Sequence, residues 1–579
     1  MNNMTESLRK RILAARREIP ADLVIKKGRV VNVFSGAIQE KDVAVYDGVI
    51  VGIGSDYKGE EERDLKGRWV VPGLIDGHIH VESSMLSPFN LAAALLPHGT
   101  TTIISDPHEI ANVMGLSGIH FMLEDSSSIP FDIYFMAPSC VPATALETSG
   151  ANLGAPELSG LINEPRILGL AEMMNFPGVL MCDKKVLEKI ELFKHKVLDG
   201  HCPLLKDYDL QAYVSTGIRS DHESSLLSEG LEKVENGVML MIREGTSAKN
   251  LQELLPLVNN MNSRRFCFVS DDLHAEDIQK RGHLDFVLKK AVQLGLDPLT
   301  AIQLVTLNPS EYFGLKDRGA VAPGYVADIV ILDDLKDFKV ESVYKRGNLV
   351  VDSGELINFP VKEKELSFKK PEPLNISPLK EDSFSIPDAG CDARVIEIIP
   401  GQVITRMHFE RPKSGNGLVL SDTERDILKI CVVERHKATG NIGLGLVNGL
   451  GLKRGAIASS VAHDSHNVIA AGVSDEDIFY AVENVRKMGG GLAVVCNGKT
   501  IAETPLEIAG LMSNQYMDSL VRQLKATNDA ASALGAKIKD PFMTLSFLAL
   551  PVIPELKLTD KGLVDVNRFE IVPLFNFPL

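Results

Sequence analysis

The chain has 579 residues, too many for one ordinary hydrophobic core, so two to four domains are expected. Its composition is globular, with 45% hydrophobic and 24% charged residues. The formal charge of −16 argues against nucleic acid or an anionic membrane as the main partner, while leaving a small base or nucleoside open as substrate.

In chain order, residues 1–19 read as a short amphipathic helix with no apolar signal region, and no later apolar run reaches the roughly 18 residues that span a bilayer. Seven scattered cysteines, with no Cys-x-x-Cys, fit a reducing cytoplasm. Residues 20–72 alternate in short strand-like runs, and the same texture returns at 318–358. Two strand-rich flanks around a long middle predict one discontinuous β-domain, drawn as a small β-sandwich.

The middle, 73–317, carries eight strand candidates separated by helical stretches. They are Val70–Ile75, Thr100–Ser105, Phe131–Ala137, Ile167–Leu170, Lys196–Asp199, the weak Gly217–Ser220, Val238–Ile242 and Phe266–Ser270. Eight such units in about 240 residues have the size of a TIM-type (β/α)8 barrel. Residues 356–385, rich in Lys, Glu and Pro, read as a linker, and 386–579 as a further α/β or α+β domain.

The chemistry collects at the strand ends. His78 and His80 leave the first strand, and residues i and i+2 of a strand face one side, so both imidazoles can reach one divalent ion. Glu172 follows strand four, His201 strand five, His222 strand six, and Asp271 and Asp272 strand eight. Nitrogen and carboxylate donors together suit Zn, Mn or Fe at one or two adjacent ions. Two close cations repel, so a negative bridge must lie between them, and a carboxylate with two oxygens can serve. Other motifs fail. His80-Val-Glu82 and His274-Ala-Glu276 lack the Pro-Cys-x-x-Cys that completes a cytidine-deaminase-type zinc site, and there is no His-Glu-x-x-His.

The lead-in Val-Val-Pro-Gly-Leu-Ile-Asp-Gly-His-Ile-His at 70–80 and the exit Gly-Tyr-Val-Ala-Asp-Ile-Val-Ile-Leu at 324–332 resemble the amidohydrolase superfamily. Many of its members place a carbamylated lysine after strand four, where this chain has Glu172 and no lysine between 164 and 183. With Asp-Pro-His-Glu-Ile-Ala-Asn-Val at 106–113, Asp-Gly-His-Cys-Pro at 199–203, Ser-Asp-Asp at 270–272 and Ala-Ser-Ser-Val-Ala-His-Asp-Ser-His-Asn at 458–467, the whole chain resembles the adenine deaminases of that superfamily.

The resemblance implies hydrolysis of adenine to hypoxanthine and ammonia by a metal-activated hydroxide. It implies His78, His80, Glu172, His201, His222 and Asp271 as metal ligands, with Asp271 and Glu172 catalytic. Two ions are implied, Mn or Fe first and Zn next. Glu82, His108, Glu109, Arg243 and Asp272 are expected near the substrate, and His463, Asp464 and His466 on a loop lent by the C-terminal domain. Adenine and water are the expected partners, in a homodimer or larger homo-oligomer. Another amidohydrolase activity, a cyclic-amide hydrolase or N-acetyl sugar deacetylase, is the alternative. A non-catalytic scaffold would have lost ligands that this chain keeps.

Overall fold

A computed structural model describes residues 2–246, 248–360 and 374–576. The helix Asn2–Ala15 leads into a nine-stranded sheet drawn from both ends of the first 360 residues. Its order runs Glu355–Leu356, Asn348–Asp352, Val340–Lys345, Ile329–Leu332, Trp69–Pro72, Ala21–Asn32, Ala37–Tyr46, Val49–Gly54, with Gly59–Asp64 also beside Ala21–Asn32. The joint between the two flanks is the antiparallel pairing of Trp69–Pro72 with Ile329–Leu332.

The barrel lies between these two strands. Its strands are β1 (Leu74–Ile79), β2 (Thr100–Ser105), β3 (Asp132–Ala137), β4 (Ile167–Met173), β5 (Val197–Gly200), β6 (Ser220–Asp221), β7 (Met239–Arg243) and β8 (Phe266–Val269). Strands β1 to β5 form one parallel sheet and β6 to β8 another. The Arg219 N–H donates to the Leu198 carbonyl across the β5–β6 seam. A parallel bridge from Ile79 to Asp271 spans the β8–β1 seam, where the Asp271 N–H donates to the His78 carbonyl at 2.9 Å. Closure makes this a TIM-type barrel, and every strand is almost wholly buried, as parallel sheets covered on both faces must be.

Two expectations need correction. The run Val70–Ile75 is not one strand: it divides at Gly73 between the nine-stranded sheet and β1, so His78 lies within β1 and His80 one residue beyond it. At Gly73 a Cβ would come within 2.2 Å of Thr101 Oγ1, so only glycine allows the two sheets to approach here. The predicted linker 356–385 falls partly on residues 361–373, outside the described residues. Its end is not a linker, because Ile376 and Phe384 are buried in the core of the C-terminal domain.

That domain carries an eight-stranded sheet in the order Thr405–Glu410, Ala393–Ile398, Ile442–Asn448, Ile427–Val433, Val468–Gly472, Ala456–Ser459, Gly491–Cys496, Lys499–Pro505. The helix Asp475–Lys487 packs on this sheet through Ile478, Ala481, Val482 and Val485. Its loops reach the barrel mouth. Thr148 donates from its N–H and hydroxyl to Asp560 at 2.8 and 2.7 Å, Asn467 donates to the Thr148 carbonyl, and Ser513 bridges to Leu86. Among the described residues, no helix is long and apolar enough to cross a membrane.

Candidate active site and metal centre

The six residues expected to hold metal converge at the C-terminal rim of the barrel, all buried except His201, which is partly exposed. Glu172 stands at their centre and its two oxygens face opposite ways. Oε1 lies 3.3 Å from His80 Nε2 and 3.9 Å from His78 Nε2, whereas Oε2 lies 2.6 Å from His201 Nδ1 and 3.1 Å from His222 Nε2. The Asp271 carboxylate closes the ring, with Oδ1 at 3.2 Å from His80 and 3.6 Å from His78. His78, His80 and Glu172 can share one ion, Glu172, His201 and His222 another, and His78, His222 and Asp271 form a third such group.

Local structure explains the convergence. In β1 the period of two turns Asp76 and His78 the same way. Asp76 accepts from the His78 and Ser270 N–H groups and the Ser270 hydroxyl, which ties the end of β8 to β1. Asp271 then turns with φ of +59°, a left-handed conformation that aspartate tolerates better than bulkier residues. His80 Nδ1 stands 3.1 Å from the Asp106 carbonyl, which leaves Nε2 facing the centre. Behind β5 and β6, the fully buried Lys233 donates to Asp221, Glu229 and the Cys202 carbonyl. Asp221 also accepts from the Cys202 and Ser224 N–H groups. This network fixes the two loops that carry His201 and His222.

Burial opposes the charge on Glu172, but His222, His201 and His80 outweigh it and hold the carboxyl well below the usual carboxylate range. Burial likewise opposes charge on Asp271, and Arg243, His78 and His80 hold it well below its ordinary value. Two carboxylates kept ionised among four imidazoles make a donor set of oxygen and nitrogen that fits divalent transition ions. His78 Nε2 is buried with no hydrogen-bond partner, as a ligand atom reserved for a cation would be.

The substrate-side expectations fall into two groups. His108 joins the rim, with Nδ1 3.2 Å from Asp106 Oδ2 and 3.8 Å from Glu172 Oε1. Asp272 accepts from the Ser83 hydroxyl, and burial and the neighbouring Asp271 push its pKa up. Glu82 accepts from the Ile110 N–H through Oε1, and burial and Glu109 push it to about 7. Glu109 faces the C-terminal loop, where His463 and His466 meet it, and Asp464 lies 3.9 Å from His108. Arg243 is engaged elsewhere: its guanidinium grips Glu223 with two nitrogens and Asp271 with one. Sequence reasoning missed Glu223, which also stands 3.5 Å from His222 and 3.7 Å from His201. Its one signal was adjacency to His222.

With this geometry in view, comparison with known proteins is direct. Residues 69–350 match the amidohydrolase family, and residues 402–570 match the adenine deaminase C-terminal domain. The chain is 50% identical over 566 residues to an adenine deaminase of Desulfatibacillum aliphaticivorans, covering 97% of this chain and 99% of the relative. An adenine deaminase of Dehalococcoides mccartyi is 48% identical, covering 98% of this chain and all of the relative. One of Geobacillus kaustophilus is 46% identical, covering 99% of this chain and all of the relative. The barrel with its histidine and carboxylate rim and the C-terminal domain thus match one family together, and the chain belongs to the adenine deaminases of the amidohydrolase family.

Proposed function

We propose that the chain hydrolyses adenine to hypoxanthine and ammonia, as a step of purine salvage. The observation that carries the reading is Glu172, whose two oxygens face two separate histidine pairs, inside a chain that matches adenine deaminases over its whole length.

The six rim residues would hold two divalent ions, His78 and His80 on one side, His201 and His222 on the other, with Glu172 between and Asp271 completing the set. Mn or Fe is the first choice and Zn the next, since mixed imidazole and carboxylate donors accept all three. An ion held by these residues would lower the pKa of water from 15.7 to about 7 and so supply a nucleophile at neutral pH. Asp271 takes the proton of the attacking water and delivers it to the departing amine at C6. Arg243 grips Asp271 by Oδ2 and so aims Oδ1 at the rim. Glu82 and Asp272, whose pKa values are both raised, are placed to exchange protons or hydrogen bonds with ring nitrogens. Asp271 and Glu82 are buried at this mouth, whereas Asp272 keeps some exposure.

We further assign residues 1–19 to an N-terminal helix, 20–72 with 318–358 to a discontinuous β-sandwich, 73–317 to the barrel and 386–579, together with the preceding segment that buries Ile376 and Phe384, to the C-terminal domain, in a cytoplasmic homodimer or larger oligomer. The test of function is ammonia release from adenine by protein reconstituted with Mn, Fe or Zn, with adenosine and cyclic amides as controls. Release from adenine in at least one metal form is expected, and none in any form removes the reading.

A further inference from the structure

The loop 462–467 of the C-terminal domain meets the barrel at Glu109. His463 Nδ1 stands 3.0 Å from Glu109 Oε1 and His466 Nε2 3.9 Å from Oε2, all three residues being buried. Their ligand atoms lie close enough together to hold an ion. A hydrogen bond points the other way. His466 Nδ1 accepts the Ala462 N–H at 3.1 Å, so the proton of its neutral ring sits on Nε2, the atom a cation would need. That proton faces Glu109. Glu109 therefore accepts an N–H from His463 alone, His466 Nε2 lying too far away to donate and having no partner of its own, and His463 is left with Nε2 on its far side.

His463 Nε2 is buried and has no partner in the protein. Buried polar atoms are rarely left so, and each asks for an explanation. The ring is not loose: it stacks on Phe547 with centroids 4.7 Å apart and planes at 24°. Nor is it alone. Asp464 Oδ2 and Ser465 Oγ from the same loop, and Glu82 Oε2 and Asp106 Oδ1 from the barrel, are also buried without partners. This cluster adjoins the metal rim through His108, which lies 3.9 Å from Asp464 and 3.8 Å from Glu172 and meets the His80 ring edge to face at 4.8 Å. Unsatisfied polar groups from two domains thus gather on one flank of the rim. Burial alone would strip His463 of its charge, but Glu109 outweighs it and raises the imidazole to about 9.

We propose that His463, held by Glu109, donates a hydrogen bond from Nε2 to an acceptor nitrogen of the purine away from C6, so that the C-terminal domain supplies a catalytic residue. The inference rests on adenine being the substrate. Attack at C6 drives electron density into the ring, and a charged donor in a dry site binds that density more tightly than it binds the ground state. Glu109 is a positioning residue, since it acts through His463.

The test compares wild type, His463→Ala and His463→Gln, each with its metal content measured, on adenine, 3-deazaadenine and 7-deazaadenine as substrates or competitive inhibitors. His463→Ala is expected to keep its metal and lose about 10²–10³-fold in kcat/KM on adenine, the cost of one preorganised donor. His463→Gln, which keeps an N–H donor, is expected to recover part of the loss. The deaza compound lacking the contacted nitrogen is expected to be about tenfold or more worse than adenine for wild type and no worse for His463→Ala. Wild-type activity in His463→Ala, an equal loss in both variants, or deaza penalties unchanged by the substitution overturns the proposal. Wild type inactive on adenine in every metal form instead overturns the assigned substrate, so the two failures are distinct.

Discussion

Arg243 holds Asp271 by the oxygen that the histidines leave free: Nη1 stands 2.6 Å from Oδ2, while Oδ1 faces His80 at 3.2 Å and His78 at 3.6 Å. One carboxylate is thus shared between a fixed cation and the metal rim. Asp271→Asn preserves shape and most of the metal but removes the proton acceptor. Turnover is expected to fall about 10²–10⁴-fold, with metal content close to wild type by elemental analysis. Near-normal turnover would remove Asp271 from proton transfer.

Glu172→Gln replaces one of two opposed oxygens with an NH₂ group, which repels a cation rather than binding it. The variant is expected to hold about one ion fewer per chain than wild type after gel filtration, and to lose ammonia release even in excess Mn. Retention of the wild-type metal content and of activity would show that Glu172 does not bridge.

Lys233→Met leaves the carboxylates of Asp221 and Glu229 buried without their cation. Breaking a buried ion pair from one side costs about 3–5 kcal/mol, so a marked drop in denaturation midpoint is expected. Metal should also be released at lower chelator concentration, because the loops carrying His201 and His222 lose their tie. Unchanged stability would mean that water replaces the ammonium.

Lys557 donates to the Val403 and Phe547 carbonyls, yet burial lowers its pKa to about 7. The ordinary lysine value is about 10.4. Between these values the unfolded chain binds the proton and the folded chain does not, so this group's contribution to stability rises with pH from about 7 to about 10. The stability difference between wild type and Lys557→Met, from denaturant melts, is expected to shift toward wild type over that window. A flat difference would place the folded pKa near the ordinary value.

Much of the rim was legible because its chemistry is local to strand ends. The His78-x-His80 spacing and the single candidate ligands at the end of β4 and after β5, β6 and β8 follow from the period of a strand and from the parallel order of the barrel. Other features are products of tertiary contact. Glu223 and Arg243 are 20 positions apart, and neither signals the other. Lys233 lies in the last turn of the helix Leu227–Glu235, and what makes its burial tolerable is the pair Asp221 and Glu229, of which Asp221 comes from outside the helix. The division at Gly73 is hidden because both halves are apolar, and only the approach of Thr101 reveals why glycine stands there.

The pairing of Trp69–Pro72 with Ile329–Leu332 bears on how the molecule is made. A ribosome that has delivered residue 72 must deliver 73–328 before the strand's partner begins to emerge, so the whole barrel is synthesised while that edge stands open. Early β-structure at the N-terminus must wait, exposed and adhesive, for a segment more than half the chain away from the start. The barrel is thus an excursion within a sheet, and its completion is what brings the two edges within reach of each other.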